Sequence, residues 1–114
     1  MIVKPMRGYT YKAELVRIVD ADTVVCDIDL GFYMTARLPV RLAHINAKER
    51  NELGGKEATE HLRALLSNEE LLLVTYKPKD KYGRYLADVF VNDMNINQKM
   101  IVGGFAEPYE GGKR

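Results

Sequence analysis

Arg41 and Glu49 stand eight residues apart in VRLAHINAKE, and Arg84 lies further along in DKYGRYLA. These are the side chains whose chemistry combines most usefully. A guanidinium offers a planar fork of N–H groups that fits two phosphate oxygens, and a nearby carboxylate can take a proton from water. Phosphodiester hydrolysis needs both. A second cluster, VDADTVV at 19–25, sets Asp20 and Asp22 on either side of Ala21. Carboxylate oxygens of this kind suit a hard divalent cation.

Each residue also has a plainer account. Carboxylates at strand ends suit turns and stay solvated. Glu49 alone would pass for an exposed loop acid. Arg41, between Val40 and Leu42, could form a structural ion pair with a barrel carboxylate, because an unpaired charge in an apolar strand is costly. Arg84 follows Gly83 in a tight turn, where surface arginines are ordinary. Tyr82 and Tyr109 could stack on bases or merely cover a barrel end. His44 and His61 have no cysteine or second ligand at metal spacing and read as structural histidines.

Taken together, in this order and spacing, the three segments resemble the staphylococcal nuclease (thermonuclease) family from about residue 11 to residue 109. The resemblance implies that Asp22, Asn46 and the backbone carbonyl of Ala47 hold Ca²⁺, that Glu49 is the general base, and that Arg41 and Arg84 grip the scissile phosphate. It implies a nucleotide site lined by Lys81, Tyr82 and Tyr109. It further implies a nuclease that cuts the P–O5′ bond of DNA and RNA, single-stranded or frayed stretches favoured, leaving 3′-phosphate ends with little sequence preference. Two positions depart from the family pattern. Asn46 stands where the best-known members have aspartate, so one formal ligand charge is missing, and Lys48 stands where proline is usual, placing a cation beside the proposed base. The chain also stops before the C-terminal helix of those members, which marks it as a compact member. The rival reading is an OB-fold module that grips nucleic acid or a protein partner without turnover; Asn46 and Lys48 favour it, while Arg41, Glu49 and Arg84 count against it.

The elements that must position these residues follow from periodicity. Residues 11–19 read as a strand with an irregularity near the middle, Asp20-Ala21-Asp22 as a turn, and 23–30 as a second strand that Gly31 ends before a third over 32–45. Ala58, Leu62, Leu65 and Leu66 share one face of a helix whose wet side carries Glu57, Glu60 and Arg63. Strands at 71–76 and 85–91 flank a basic turn, and Asn92-Asp93 closes the second of them. Asn97 is the expected N-cap of a short helix that Gly103-Gly104 would end, with Met34, Met94 and Met100 as core filling. Five strands, one helix after the third and a short helix after the fifth match the OB-fold barrel, an α+β, mainly β class.

At 114 residues the expectation is one domain over 1–114, with a 1–10 N-terminal extension and a loop-like tail at 106–114. A formal charge of +1, from 17 basic and 16 acidic residues, excludes a global basic field, so any nucleic-acid affinity must be local. The segment 77–84 supplies such a cluster, with four basic residues against Asp80. A single cysteine, Cys26, excludes an intramolecular disulfide and a four-cysteine zinc site. The N-terminal MIVKPMRGYTYK lacks a secretory signal's apolar run, so the expectation is a cytosolic monomer with no membrane partner, or a secreted protein where a signal has been removed.

Overall fold

The computed structural model describes residues 7–49, 52–66, 70–79 and 85–109. Strand β1 (Arg7–Asp20) turns through Ala21 and Asp22 into β2 (Thr23–Gly31), which pairs antiparallel with β3 (Met34–Leu42). After a corner at Ala43 and His44 comes the short β4 (Ile45–Ala47), then helix α1 (Gly55–Leu66). Strands β5 (Leu71–Lys79) and β6 (Tyr85–Val91) follow, then β7 (Met94–Asn95), helix α2 (Ile96–Val102) and β8 (Ala106–Pro108). The sheet runs β3-β2-β1-β5-β6-β7, and a parallel pairing of β3 with β6 closes its five long strands into a barrel. This is the OB-fold-like α+β architecture that the periodicity predicts, with the two helices at the expected points in the chain.

The barrel closes because its inward positions are branched and apolar. Val24, Cys26, Val40, Leu42, Leu71, Leu73 and Val89 meet inside it and are all but inaccessible. Leu62 and Leu66 of α1 and Met100 of α2 cap the same core, each burial contributing about 1.5–3 kcal/mol. Burial pushes the Cys26 thiol up to about 12, with the charge of Asp27 adding to it, so this cysteine is an inert packing group at neutral pH. The irregularity in β1 is a bulge between Leu15 and Arg17, where the register against β2 shifts by one residue.

Several expectations are corrected. Residues 7–10 belong to β1, paired with β5, and are no separate extension. Phe32 and Tyr33 form a turn, at φ 55° and 60°, and do not begin the third strand. That strand ends at Leu42: the Leu42 and Ala43 amides donate to the carbonyls of Asp22 and Ala87, and His44, at φ 66°, turns the chain off the barrel wall. The tail read as loop contains β8, whose Ala106, Glu107 and Pro108 pair with Ala47, Asn46 and Ile45. Met34 is 60% exposed, outside the core. The N-cap of α2 is Asn95, whose side chain accepts from the Gln98 amide at 3.0 Å. Asn97 is instead buried: its Oδ1 accepts from the Val89 amide at 3.0 Å, and its Nδ2 donates to the Ala43 and Ala87 carbonyls at 2.9 and 3.1 Å. Two helical positions inward from the cap, its side chain reaches β6 and the corner instead of its own helix end.

Candidate active site

Three chain segments converge at the barrel end where β1 turns into β2. Turns ordinarily stay wet, yet Ala21 and Asp22 are 0% and 7% exposed, because the corner after β3 and the strand β4 close over them. Asp22 is satisfied locally. Its Oδ2 accepts from the Ala47 amide at 2.9 Å, and its Oδ1 accepts from the Thr23 hydroxyl at 3.2 Å.

Arg41 comes from the last turn-facing stretch of β3, beside Thr23 in the ladder, and is 8% exposed. Burying a guanidinium requires partners for its donors, and the corner supplies them. Nη1 donates to the Leu42 and Ile45 carbonyls at 3.0 and 2.9 Å. Nη2 donates to Asn46 Oδ1 at 3.2 Å and lies 3.4 Å from Asp22 Oδ2. The ring of Tyr109 faces the guanidinium carbon at 5.7 Å, within cation–π range, and the Tyr109 amide donates to the His44 carbonyl at 2.8 Å. The β4–β8 pairing thus brings Tyr109 to the arginine from the far end of the chain.

Of the residues singled out in the sequence, Asp22, Arg41, Asn46, Ala47 and Tyr109 are brought together. Glu49 lies two residues beyond Ala47 and is exposed; its amide donates to Glu52 Oε1 at 2.7 Å, and the Glu52 amide returns to the Glu49 carbonyl. Among the described residues its carboxylate has no hydrogen-bond or ion-pair partner. Lys81, Tyr82 and Arg84 lie outside the described residues. The strands on either side of them in sequence are described: Tyr85 and Leu86, at the start of β6, pair with Val40 and Arg41.

A divalent cation needs converging oxygens. Asp22 Oδ2 and Asn46 Oδ1 both face Nη2 of Arg41, so the two side chains already hold a positive charge between them. These hard oxygens fit Ca²⁺, but they bring one formal charge, and among the described residues no group of three or more His, Cys, Asp or Glu side chains could hold a metal ion. A cation held there would need substrate oxygens or water to complete its coordination.

Sequence reasoning missed Thr23, Ile45, His44 and Asn97 as parts of this end. Asn97 fixes the Ala43 carbonyl at 2.9 Å and so anchors the corner that presents Arg41 with its acceptors. Nothing in its local sequence separates it from an ordinary cap.

The comparisons agree with the geometry. A family model described as "Staphylococcal nuclease homologue" matches residues 39–114. An "Uncharacterized endonuclease" of Escherichia coli O157:H7 is 34% identical over 99 residues, covering 84% of this chain and 60% of that protein. A "Micrococcal nuclease" of Shigella flexneri is 35% identical over 118 residues, covering 96% of this chain and 64% of the relative. A "Thermonuclease" of Staphylococcus intermedius is 32% identical over 108 residues, with 89% and 60% covered. The chain spans less than two thirds of the length of these curated relatives. With a matched family model covering most of its length and the barrel-end cluster in place, this chain belongs to the staphylococcal nuclease homologue family.

Proposed function

We propose that the protein is a nuclease that hydrolyses phosphodiester bonds of DNA and RNA with little sequence preference. The observation that carries this reading is the buried Arg41, held by four protein oxygens at the mouth of the barrel, with the exposed Glu49 on the adjoining loop, its carboxylate without a partner among the described residues. Arg41 positions and charge-stabilises a phosphate as negative charge gathers on its non-bridging oxygens, and Arg84 shares that task. Glu49 takes the proton from the attacking water at a carboxylate oxygen. Tyr109 flanks the arginine and, with Lys81 and Tyr82, lines the nucleotide site. Asp22, Asn46 and the Ala47 carbonyl would hold Ca²⁺, which would supply further positive charge for the phosphate. The bond broken is P–O5′, leaving a 3′-phosphate. Weak sequence preference is expected because none of these residues belongs to a groove-reading element.

The test is release of acid-soluble nucleotides from single-stranded DNA with Ca²⁺ and again with chelator, for the wild type and Glu49→Gln. The wild type should cleave only with metal, and the variant should lose about 10²-fold or more while still retaining the oligonucleotide. Near-normal turnover in the variant removes Glu49 as the base. A second reading, a binding module without turnover, is favoured by the engagement of both Arg41 terminal nitrogens with protein oxygens. It predicts DNA retention with no cleavage under any metal.

A further inference from the structure

At the far end of the barrel, β1 and β2 stop pairing. Their register runs from Asp20 against Thr23 to Ala13 against Ile28; beyond that, β1 continues along β5 while β2 continues with β3 to Gly31 against Met34. The β2–β3 ribbon therefore projects alone, and a lone two-stranded ribbon is marginal in water. Between it and β1 opens a groove of about 410 Å³, lined by residues 9–12 and 29–31.

The tip of this ribbon is built against local preference. Phe32 and Tyr33 occupy a two-residue turn with φ 55° and 60°, a left-handed geometry that favours Asn-Gly and penalises bulky side chains. The hairpin at Asn92 and Asp93 has the same geometry, at φ 49° and 69°, with residues that suit it. Nothing in the described fold rewards the aromatic choice, because Phe32 and Tyr33 are 93% and 108% exposed, with Leu30 and Met34 flanking the turn at 41% and 60% and Tyr9 at the groove at 70%. Strain and exposure of this kind at one spot point to an interaction surface.

We propose that this end is a two-fold interface with a second copy of the same chain, the Phe32–Tyr33 tip of each protomer seated in the groove of the other. Knob and groove lie side by side on one patch, as an isologous contact requires. Three aromatic side chains with Leu30 and Met34 offer roughly 600 Å² or more of apolar surface, close to the ~800 Å² per partner of a stable interface. Charge decides between occupants. Lys12 and Asp29 both line the groove, so the patch carries one charge of each sign and a second copy can set its lysine against this aspartate. Lys12 and Asp29 offset one another and Asp27 is paired with Arg37, so these residues offer a polyphosphate or an anionic lipid no net positive charge.

Sedimentation equilibrium of the full chain across the micromolar range tests this. The wild-type mass should rise with concentration toward that of two chains. The double variant Phe32→Asn with Tyr33→Gly should stay at one, while melting no lower than dilute wild type, because Asn-Gly suits the turn. Lys12→Glu leaves turn and core intact and should weaken association by about tenfold or more. A wild type that remains a single chain throughout overturns the proposal, as does undiminished association in the turn variant or in Lys12→Glu. Tip-dependent retention of oligothymidylate or of phosphatidylserine vesicles by a monomeric wild type would also overturn it and assign the surface to that ligand.

Discussion

The β2–β3 hairpin and the turn that leads into it carry two aspartate–arginine pairs that differ in everything except residue type. Asp27 and Arg37 are direct cross-strand partners, joined by two hydrogen bonds of 2.8 and 3.0 Å, with Arg37 largely in solvent. Asp22 and Arg41 sit at the other end of the same strands, almost inaccessible, 3.4 Å apart and out of register. In the first pair each charge is the other's principal partner. In the second, Asp22 is held by a backbone amide and Arg41 by two carbonyls and an amide oxygen, and the salt bridge is the longest contact of the set. An exposed pair with ideal geometry is a strand clamp worth little. A buried pair whose members are each anchored separately is a preorganised surface, its charges held in place before any ligand arrives.

The largest effect should come from disturbing the buried arginine. Arg41→Lys keeps the charge but cannot span the Leu42 and Ile45 carbonyls and the Asn46 and Asp22 oxygens at once. Cleavage of single-stranded DNA should fall by about 10²-fold or more, measured as initial rate, with melting followed in parallel. Full activity in this variant would reduce Arg41 to a structural residue. Arg37→Lys, at the exposed pair, should leave the rate unchanged.

This contrast was only partly legible in the sequence. The long strands and α1 were, because alternation and the spacing of Ala58, Leu62 and Leu66 reflect the faces they bury. That Asp22 is buried was not, because a turn aspartate is dry only when a segment distant in sequence folds over it, here Ala47. The β4–β8 pairing was equally hidden: three-residue strands carry no readable period, and the two partners, at 45–47 and 106–108, are far apart in sequence. Asn97 and Asn95 are both good cap residues by type, and only the position of Val89 and Ala43 in space decides which one caps.

Asn97 supports the buried side of the comparison, and the next largest effect should follow from its loss. Asn97→Ala orphans the Val89 amide and the Ala43 carbonyl inside the fold, at about 1–3 kcal/mol for each buried group left unpaired. Urea unfolding should show a loss of about 3 kcal/mol, against about 1 kcal/mol for Asn95→Ala, which removes only the cap. Equal losses would mean that the corner does not depend on Asn97.

The Ca²⁺ site proposed for the buried cluster offers a further test of the comparison. Asn46 Oδ1 accepts from Arg41 and brings no charge of its own. Asn46→Asp should raise Ca²⁺ affinity by placing a second carboxylate on a hard cation, and Asn46→Ala should lower it by deleting the oxygen. Titration with a non-hydrolysable nucleotide present reads both. Unchanged affinity in the alanine variant would leave Asp22 to hold the ion with other partners.

The smallest effect belongs to the exposed pair, and its pH dependence identifies it. The hydrogen bond from Arg37, followed by its charge, holds the Asp27 carboxyl below the usual carboxylate range. A carboxylate with a depressed folded-state value stabilises the fold above its unfolded value, near pH ~3.9, and loses that contribution as pH falls through the lower folded one. Asp27→Asn should therefore melt slightly below wild type at neutral pH and low salt. The gap should narrow as added salt screens an exposed pair, and close in acid once the wild-type carboxyl is protonated. Thermal melts of both proteins from neutral pH into acid, at low and high salt, give the comparison directly. A gap that persists in acid would show that Asp27 acts through packing or the amide's altered hydrogen bonding. The two pairs would then differ in degree of burial alone, and the distinction between a clamp and a preorganised surface would lose its basis.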